Sequence, residues 1–117
     1  MTYPRFRHLF AEQLDPTWHP IEWLDWAVAN NVIKCFTTDK SALLCEIREM
    51  PGGARVGGVL WGVGDKQDMI DHLRPEAEAW AHELGCSHIL VEGRLGWLKA
   101  LKPVGYDPHS ASVIKAL

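Results

Sequence analysis

A short glycine-containing segment, Gly62 to Gln67, has the residue types that a phosphate-binding turn needs. Glycines let a ligand approach the backbone closely, and backbone N–H groups at the start of a helix bind phosphate. Gly62 and Gly64 suit the first role, and Lys66 adds a positive charge. The segment therefore predicts a cradle for a phosphate-bearing ligand. Its members are Gly62, Val63, Gly64, Asp65, Lys66 and Gln67.

Three carboxylates surround the same expected helix start and support a different interpretation. Asp65, Asp68 and Asp71 can accept hydrogen bonds from the free N–H groups of the first turn and complement the helix dipole. They would also repel a phosphate group. The alternative to a ligand cradle is therefore a helix that caps itself with its own side chains.

His82, Cys86 and His88 come nearest to a metal-ligand pattern. We expect Gly85 to end a helix between His82 and Cys86, which removes their shared face. Three ligands also leave the four-coordinate shell of a structural zinc site incomplete, so no metal is expected. A nucleophilic role for Cys45 or Cys86 would require a histidine and an orienting third group, which is not apparent, so buried structural cysteines are expected.

Composition narrows the class of protein. The chain has 117 residues, of which 47% are apolar and 23% charged, as expected for one folded domain over residues 1–117. Twelve Lys and Arg against fifteen Asp and Glu give a formal charge of −3, so nucleic acid is not an expected partner. No run reaches the roughly 18 apolar residues of a membrane span, and no signal peptide is visible. We expect a cytoplasmic protein without a membrane partner.

The elements that must position the glycine segment begin with two helices in residues 1–31. Apolar residues recur there at spacings of three and four, which is the helical period. They are Tyr3, Phe6, Phe10 and Leu14 in the first run, and Ile21, Leu24 and Val28 in the second. Trp26, like Trp80 further along the chain, fits an apolar helix face and is expected in the core.

Three strands are predicted next, in an antiparallel meander. Residues 32–38 are rich in β-branched and aromatic types, residues 43–48 alternate in polarity, and residues 56–63 follow a proline–glycine turn. Gly57-Gly58 indicates a β-bulge or a close approach of backbone in the third strand.

The second half alternates between helices and strands. A helical pattern runs to Leu84, and Pro75 either kinks this helix or begins its main part. Residues 88–92 form a short strand, residues 94–101 a helix and residues 112–117 a final strand. This order predicts an α/β (α+β) fold with a mixed sheet, an antiparallel meander followed by β-α-β-α-β, and helices on both faces.

That order resembles the GNAT superfamily of N-acyltransferases. In that family a meander leads into a Gly-rich turn and helix that hold the pyrophosphate of acetyl-coenzyme A, and a parallel strand completes the cleft. The resemblance covers residues 32–117 and leaves residues 1–31 as N-terminal helices. It implies that Gly62 to Gln67 bind acetyl-CoA, with positive charge from Lys66 and Arg94.

A second segment carries the resemblance further. Family members often have Asn, then Ala three residues on, then Tyr, and then Gly-Phe. Aligning Gly105-Tyr106 with that Gly-Phe places Arg94, Trp97 and Leu101 at the three earlier positions. Leu101 therefore stands where the family's tyrosine protonates the departing thiolate, and leucine cannot do so.

The chain also resembles small GNAT-like proteins of bacteriophages and prophages. The similar runs are residues 81–86 (Ala-His-Glu-Leu-Gly-Cys) and residues 93–97 (Gly-Arg-Leu-Gly-Trp). Trp97 is a candidate functional or interface aromatic residue, with core packing as the alternative.

Acyl transfer to an amine needs a base and an acid. The strand at residues 56–63, which often supplies the base in the family, holds no Asp, Glu or His. Glu46 and Glu49 on the neighbouring strand are the candidates, although a solvated strand face explains them equally well. Tyr106 is a candidate acid, and its alternative is to pack as the family's phenylalanine does.

Two functions follow from the resemblance. The first is an acyl-CoA-binding protein or N-acetyltransferase with degenerate motifs, whose partners are a CoA thioester and an amine. The second is a noncatalytic interaction or assembly protein of a phage-like module, acting as a homo-oligomer or with another protein. One final strand, where the family has a closing hairpin, indicates a reduced form of the fold and favours the second.

Overall fold

The computed structural model describes residues 3–93 and 96–117. It begins with helices α1 (Tyr3–Gln13) and α2 (Ile21–Ala29), which have the apolar spacing predicted from the sequence. Their buried residues lie against one face of the sheet. The guanidinium of Arg7 donates to the carboxylate of Asp25 at 2.8 Å and links the two helices. None of the described helices has the length and apolar content needed to cross a bilayer.

Four strands form a single mixed sheet in the order β1-β2-β3-β4. The meander consists of β1 (Lys34–Thr37), β2 (Ser41–Glu49) and β3 (Arg55–Gly64), all antiparallel. Strand β4 (His88–Val91) pairs in parallel with β3. The predicted mixed sheet, antiparallel at first, is confirmed.

The connection from β3 to β4 is helical throughout. It consists of α3 (Lys66–Asp68), a π turn (Met69–Leu73) and α4 (Arg74–Glu83), which follow one another without a break. Pro75 lies in the first turn of α4, as one of the two expectations for it required. Because Pro75 has no N–H to offer the preceding turn, the carbonyl of Ile70 accepts instead from Nε of Arg74 at 3.0 Å.

Helices cover both faces of the sheet, as predicted. Helices α1 and α2 bury Ala42, Leu44 and Val63 on one face. The α3–α4 connection buries Leu43, Cys45 and Val59 on the other. Helix α5 (Gly96–Leu101) and a 3-10 turn (Lys102–Val104) follow β4, and Trp97 of α5 packs against this second core.

Two expectations from the sequence are wrong. Residues 112–117 form no strand; they are exposed and pair with no other strand, because an apolar run becomes a strand only where a sheet edge receives it. Trp26 is 54% exposed rather than buried. Since Leu24 and Ala27 face the sheet, the helical period turns Trp26 outward. Trp80, in contrast, is partly buried, with its ring centroid 5.5 Å from that of Phe36.

Candidate functional site

The sheet opens part-way along β3. Strand β4 pairs with β3 only from Val56 to Val59, and the last contact on this side is the amide of Glu92 donating to the carbonyl of Val59 at 3.1 Å. On its other side β3 stays paired with β2 as far as Gly64. Within the described ranges, residues 60–64 therefore have no strand partner on the β4 side. Residues 60–62 line the opening, where their backbone groups can meet a ligand.

A β-bulge lies at the point where the sheet opens. Leu44 of β2 is opposite Trp61 of β3, but the next residue, Cys45, is opposite Val59, so Leu60 is an extra residue. A bulge bends the strand and increases its twist. It also changes which side chains face which way, so Val59 belongs to one core whereas Trp61 packs against the other.

The opening forms a cleft of about 880 Å³ that is lined from both faces of the sheet. We call one part of it the helical half, because α3 to α5 and the following turn supply its walls. Its lining includes Lys66, Met69, Ile70, Arg74, Trp97, Leu101 and Tyr106. The other part, the aromatic half, lies on the α1–α2 side and includes Gln13, His19, Trp23 and Trp61.

Of the predicted ligand cradle, Gly62 and Lys66 line the cleft. Val63 is buried in the core under α1 and α2, and Gln67 and Asp65 lie beyond the lining. Arg94 lies outside the described residues.

Gly64 has a role in the sheet itself. Its φ is +98°, and a Cβ at this position would come within 2.2 Å of the carbonyl oxygen of Lys40. The amide of Asp65 then donates to that same oxygen at 3.0 Å. A glycine at position 64 is therefore required for β3 to close against the β1–β2 turn.

The carboxylates at the helix start are held by the protein. Asp65 caps the helix, accepting from the amide of Asp68 at 2.9 Å, as the self-capping alternative predicted. Asp68 itself accepts from Oγ of Ser41 at 2.6 Å and from the hydroxyl of Thr38. Asp71 accepts from the side-chain Nε2 of Gln67 at 2.9 Å. These carboxylates do not line the cleft, so the charge that the segment presents there is that of Lys66.

Asp68 gives the stability of the fold a testable pH dependence. The hydrogen bonds from Ser41 and Thr38 hold the pKa of the Asp68 carboxyl below its usual value. The stability that this ionised group contributes is present above the pKa of the unfolded chain, about 3.9, and is lost as pH falls through the lower folded pKa. We expect Asp68→Asn to be less stable than the unchanged protein at pH 7, with a difference that shrinks below about pH 4.

Urea unfolding at a series of pH values measures this difference. Asp107→Asn, in the exposed segment after the last turn, is the matched control and should leave the free energy of unfolding unchanged at every pH. A stability difference for Asp68→Asn that stays constant from pH 7 to pH 3 would contradict the assignment.

Lys66 lines the helical half of the cleft next to α5. Its Nζ lies 3.4 Å from the carbonyl oxygen of Gly96 and 5.2 Å from the centroid of the Trp97 ring. No carboxylate of the described residues forms an ion pair with it. Its charge is therefore available to an anionic ligand.

Glu46 lines the cleft, but its carboxylate is held by an arginine. Nε of Arg48 lies 2.6 Å from one oxygen of Glu46, and Nη2 lies 2.6 Å from an oxygen of Glu92. Arg48 reaches across β3 at Gly58, where no side chain stands in its way. Both hydrogen bonds raise the pKa of Arg48, and the one to Glu46 raises it most. Glu49, the other candidate base, is exposed, pairs with Arg55 at 3.5 Å and does not line the cleft.

Tyr106 also lines the cleft, and its hydroxyl proton already takes part in a hydrogen bond within the protein. Its hydroxyl donates to the carboxylate of Glu78 at 2.8 Å, and Glu78 also accepts from Arg74 at 3.0 Å. Burial, and then the hydrogen bond to Glu78, raise the pKa of Tyr106 above its usual value. Leu101, at the position of the family's tyrosine, is 4% exposed and forms part of the cleft wall.

His19 is a cleft residue that sequence analysis did not single out. It ends a turn in which Asp15 accepts from the amide of Thr17 at 2.9 Å and the amide of His19 donates to the Asp15 carbonyl at 2.8 Å. The centroid of its ring lies 5.4 Å from that of Trp23 and 5.1 Å from that of Trp61. Its position in the turn between two predicted helices was the available signal, but its approach to β3 is a long-range contact.

The remaining candidates for nucleophilic or metal chemistry are the cysteines and the histidines at positions 82 and 88. Burial raises the pKa of the Cys35 thiol to about 11 and that of Cys45 to about 12, which makes both poor nucleophiles. Over residues 3–93 and 96–117, no three His, Cys, Asp or Glu side chains come together as metal ligands, so His82, Cys86 and His88 do not form such a group.

Comparison with known proteins finds similar folds among solved acetyltransferases. No family model and no curated protein sequence matches the chain. A predicted acetyltransferase from Clostridium acetobutylicum, solved with acetyl-CoA, is similar in structure with a TM-score of 0.67 and 12% identity over 96% of this chain and 84% of that one.

Two further solved structures agree. A ribosomal-protein-alanine N-acetyltransferase from Brucella melitensis biovar Abortus has a TM-score of 0.65 and 13% identity over 97% of this chain and 94% of its own. An aminoglycoside 6'-N-acetyltransferase from Acinetobacter haemolyticus has a TM-score of 0.63 and 15% identity over 83% and 78%. Identities this low show the fold alone, and the fold of this chain is GNAT-like.

Proposed function

We propose that this protein binds an acyl-coenzyme A thioester in the cleft and transfers the acyl group to an amine. The observation that carries the proposal is the opening of the sheet after Val59, beyond which β3 has no strand partner on its β4 side among the described residues. This open side lies beside the start of a continuous helix. This arrangement combines a free strand edge, helix N–H groups and a lysine along one cleft.

The cleft fits the chemistry of coenzyme A. The pantetheine arm carries two amide groups, which can pair with backbone groups of an unpaired strand edge such as residues 60–62. The first backbone hydrogen bond of the helix runs from the amide of Met69 to the carbonyl of Asp65. The amides of Lys66 and Gln67 come before it and therefore have no partner within the helix. We expect those amides and the Lys66 ammonium to hold the pyrophosphate, with Arg94 as a further candidate.

The bound thioester supplies an activated acyl carbon and a thiolate leaving group. The chain supplies the environment. Val59, Met69 and Ile70 form an apolar wall that excludes water, and Trp97 flanks Lys66. Glu46 and Tyr106 stay candidates for proton transfer, although each is engaged by a neighbouring side chain. We propose a cytoplasmic location, where acyl-CoA thioesters are available.

Leu101 favours a second candidate function, binding without catalysis. A leucine cannot protonate the departing thiolate, and its side chain is buried in the cleft wall. In that case the protein would hold acyl-CoA, or use the same fold to contact another protein.

Calorimetry followed by a transfer assay tests both candidates. We expect acetyl-CoA to bind the purified protein, and release of free CoA thiol to accelerate in the presence of a primary amine. Binding without thiol release from any amine would favour the second candidate. Absence of binding at millimolar acetyl-CoA would contradict the proposed function.

A further inference from the structure

The aromatic half of the cleft has a defined shape around His19. The Asp15 turn fixes the backbone of His19. Its imidazole packs against the rings of both Trp23 and Trp61, whose own centroids are 6.4 Å apart, so the three rings form one cluster. All three side chains are partly buried and line the cleft. The imidazole is therefore held at a wall of the cleft on the face opposite the α3–α4 helix.

His19 differs from the carboxylates and the tyrosine of the cleft. Arg48 holds both Glu46 and Glu92, and Glu78 holds Tyr106. In the described part of the chain, no protein group hydrogen-bonds to either ring nitrogen of His19. Since imidazole is the side chain suited to proton transfer near neutral pH, His19 can accept a proton without breaking an ion pair.

The surroundings of His19 indicate what it would act on. Tryptophan faces attract cations and apolar groups. The carboxylates of Glu46 and Glu92 share the single guanidinium of Arg48. One net negative charge therefore remains beside the aromatic half. Lys66, in contrast, carries positive charge at the other side of the cleft. An ammonium group attached to an apolar or aromatic body fits these walls.

We propose that His19 is the general base of the acyl transfer, and that the acceptor is a primary amine on an apolar or aromatic group bound against Trp23 and Trp61. This inference rests on the proposed function and assigns the acceptor part of the same cleft. His19 is then a catalytic residue, and the two tryptophans set the specificity.

His19 takes one proton from the ammonium group, and the freed lone pair of the nitrogen forms a bond to the thioester carbonyl carbon. The carbon–sulfur bond breaks, and its electron pair leaves on sulfur. The second proton of the nitrogen passes through solvent to that thiolate, and the imidazolium of His19 releases its proton to water. An ammonium ion and a thioester thus become an amide, a thiol and one released proton.

Two probe amines distinguish a base from a packing residue. Benzylamine is an ammonium ion at neutral pH, whereas aniline carries no ammonium proton to remove. We expect His19→Gln to lower kcat with benzylamine about 100-fold, the lower range for a general base. With aniline the loss should be about tenfold smaller. His8→Gln, on the exposed side of α1, is the matched control and should keep kcat with both amines.

Two measurements besides turnover keep the outcomes separate. Calorimetry should show that His19→Gln binds acetyl-CoA as the unchanged protein does, because His19 lies in the aromatic half. The carbon-bound ring protons of His19, assigned by NMR from their loss in His19→Gln, should shift when benzylamine is added to the unchanged protein.

Failure of the unchanged protein to bind acetyl-CoA would overturn the proposed function itself. Given that binding, an unchanged protein that does not acetylate benzylamine would overturn the acceptor assignment. Equal losses with benzylamine and aniline, or His19 ring signals that benzylamine does not move, would overturn the role of His19.

Discussion

Replacing Lys66 by glutamate is expected to weaken acetyl-CoA binding about 30-fold, because a charge-assisted hydrogen bond to phosphate contributes about 2 kcal/mol. Lys66 is the charged residue of the predicted cradle that the structure places in the cleft. Calorimetry at two salt concentrations measures the effect. The affinity of the unchanged protein should fall with salt more steeply than that of Lys66→Glu, since salt screens the lost attraction.

Two control variants separate the local contact from net charge and from packing. Lys115→Glu makes the same change in net charge in the exposed C-terminal segment and should leave the affinity within about twofold. Lys66→Met keeps the apolar stem against Trp97 and should weaken binding less than Lys66→Glu does. Equal affinities for Lys66→Glu and the unchanged protein would contradict a phosphate contact at this residue.

Gly64→Ala is expected to have the largest effect on stability, a loss of about 3 kcal/mol or more in the free energy of unfolding. Two costs combine at this position. Its φ of +98° disfavours any residue with a Cβ, and the added Cβ would lie 2.2 Å from the carbonyl oxygen of Lys40. Backbone cannot move aside as a flexible side chain does, so the end of β3 must detach from the β1–β2 turn.

Two other glycines provide matched controls for Gly64→Ala. Gly85 has a φ of +80° with open space around it, so Gly85→Ala isolates the backbone cost, about 1 kcal/mol. Gly52 has neither a positive φ nor a close neighbour, so Gly52→Ala should change stability by less than about 0.5 kcal/mol. Urea unfolding of the three variants should follow this order, and equal losses for Gly64→Ala and Gly85→Ala would contradict the clash with Lys40.

Local patterns predicted most of the architecture. The helical spacing of Phe6 and Phe10 and the alternation of Leu43 to Cys45 follow from periods that each element has on its own. In α1 the spacing also identifies the buried face, whereas β2 is buried on both faces. Trp26 shows the limit of this approach, since an aromatic residue adjacent to the buried stripe of α2 lies largely exposed.

The opening of the sheet could not be predicted, because it depends on where two distant strands separate. Gly57-Gly58 indicated either a bulge or a close approach, and the structure confirms the close approach. A Cβ on Gly57 would lie 3.0 Å from that of Ala81, and Gly58 lies beneath Arg48. The bulge itself is at Leu60, and the residue types around this position do not indicate a bulge.

The candidate site was predicted in part. Gly62 and Lys66 lie where a glycine-rich turn before a helix should place them, beside the cleft. Glu46 reaches the cleft, but its pairing with Arg48 depends on the register of β2 and on the absence of a side chain at Gly58. His19 meets Trp61 across 42 residues of sequence, a contact that neither spacing nor composition indicates.

The central claim is that the opening between β3 and β4 is an acyl-CoA site. Backbone amide NMR during titration with acetyl-CoA tests it most directly. We expect the largest shifts in backbone amides 60–67, with a shift of the indole N–H of Trp97 in the same titration. No shifts, or shifts confined to the exposed outer faces of α1 and α2, would contradict it.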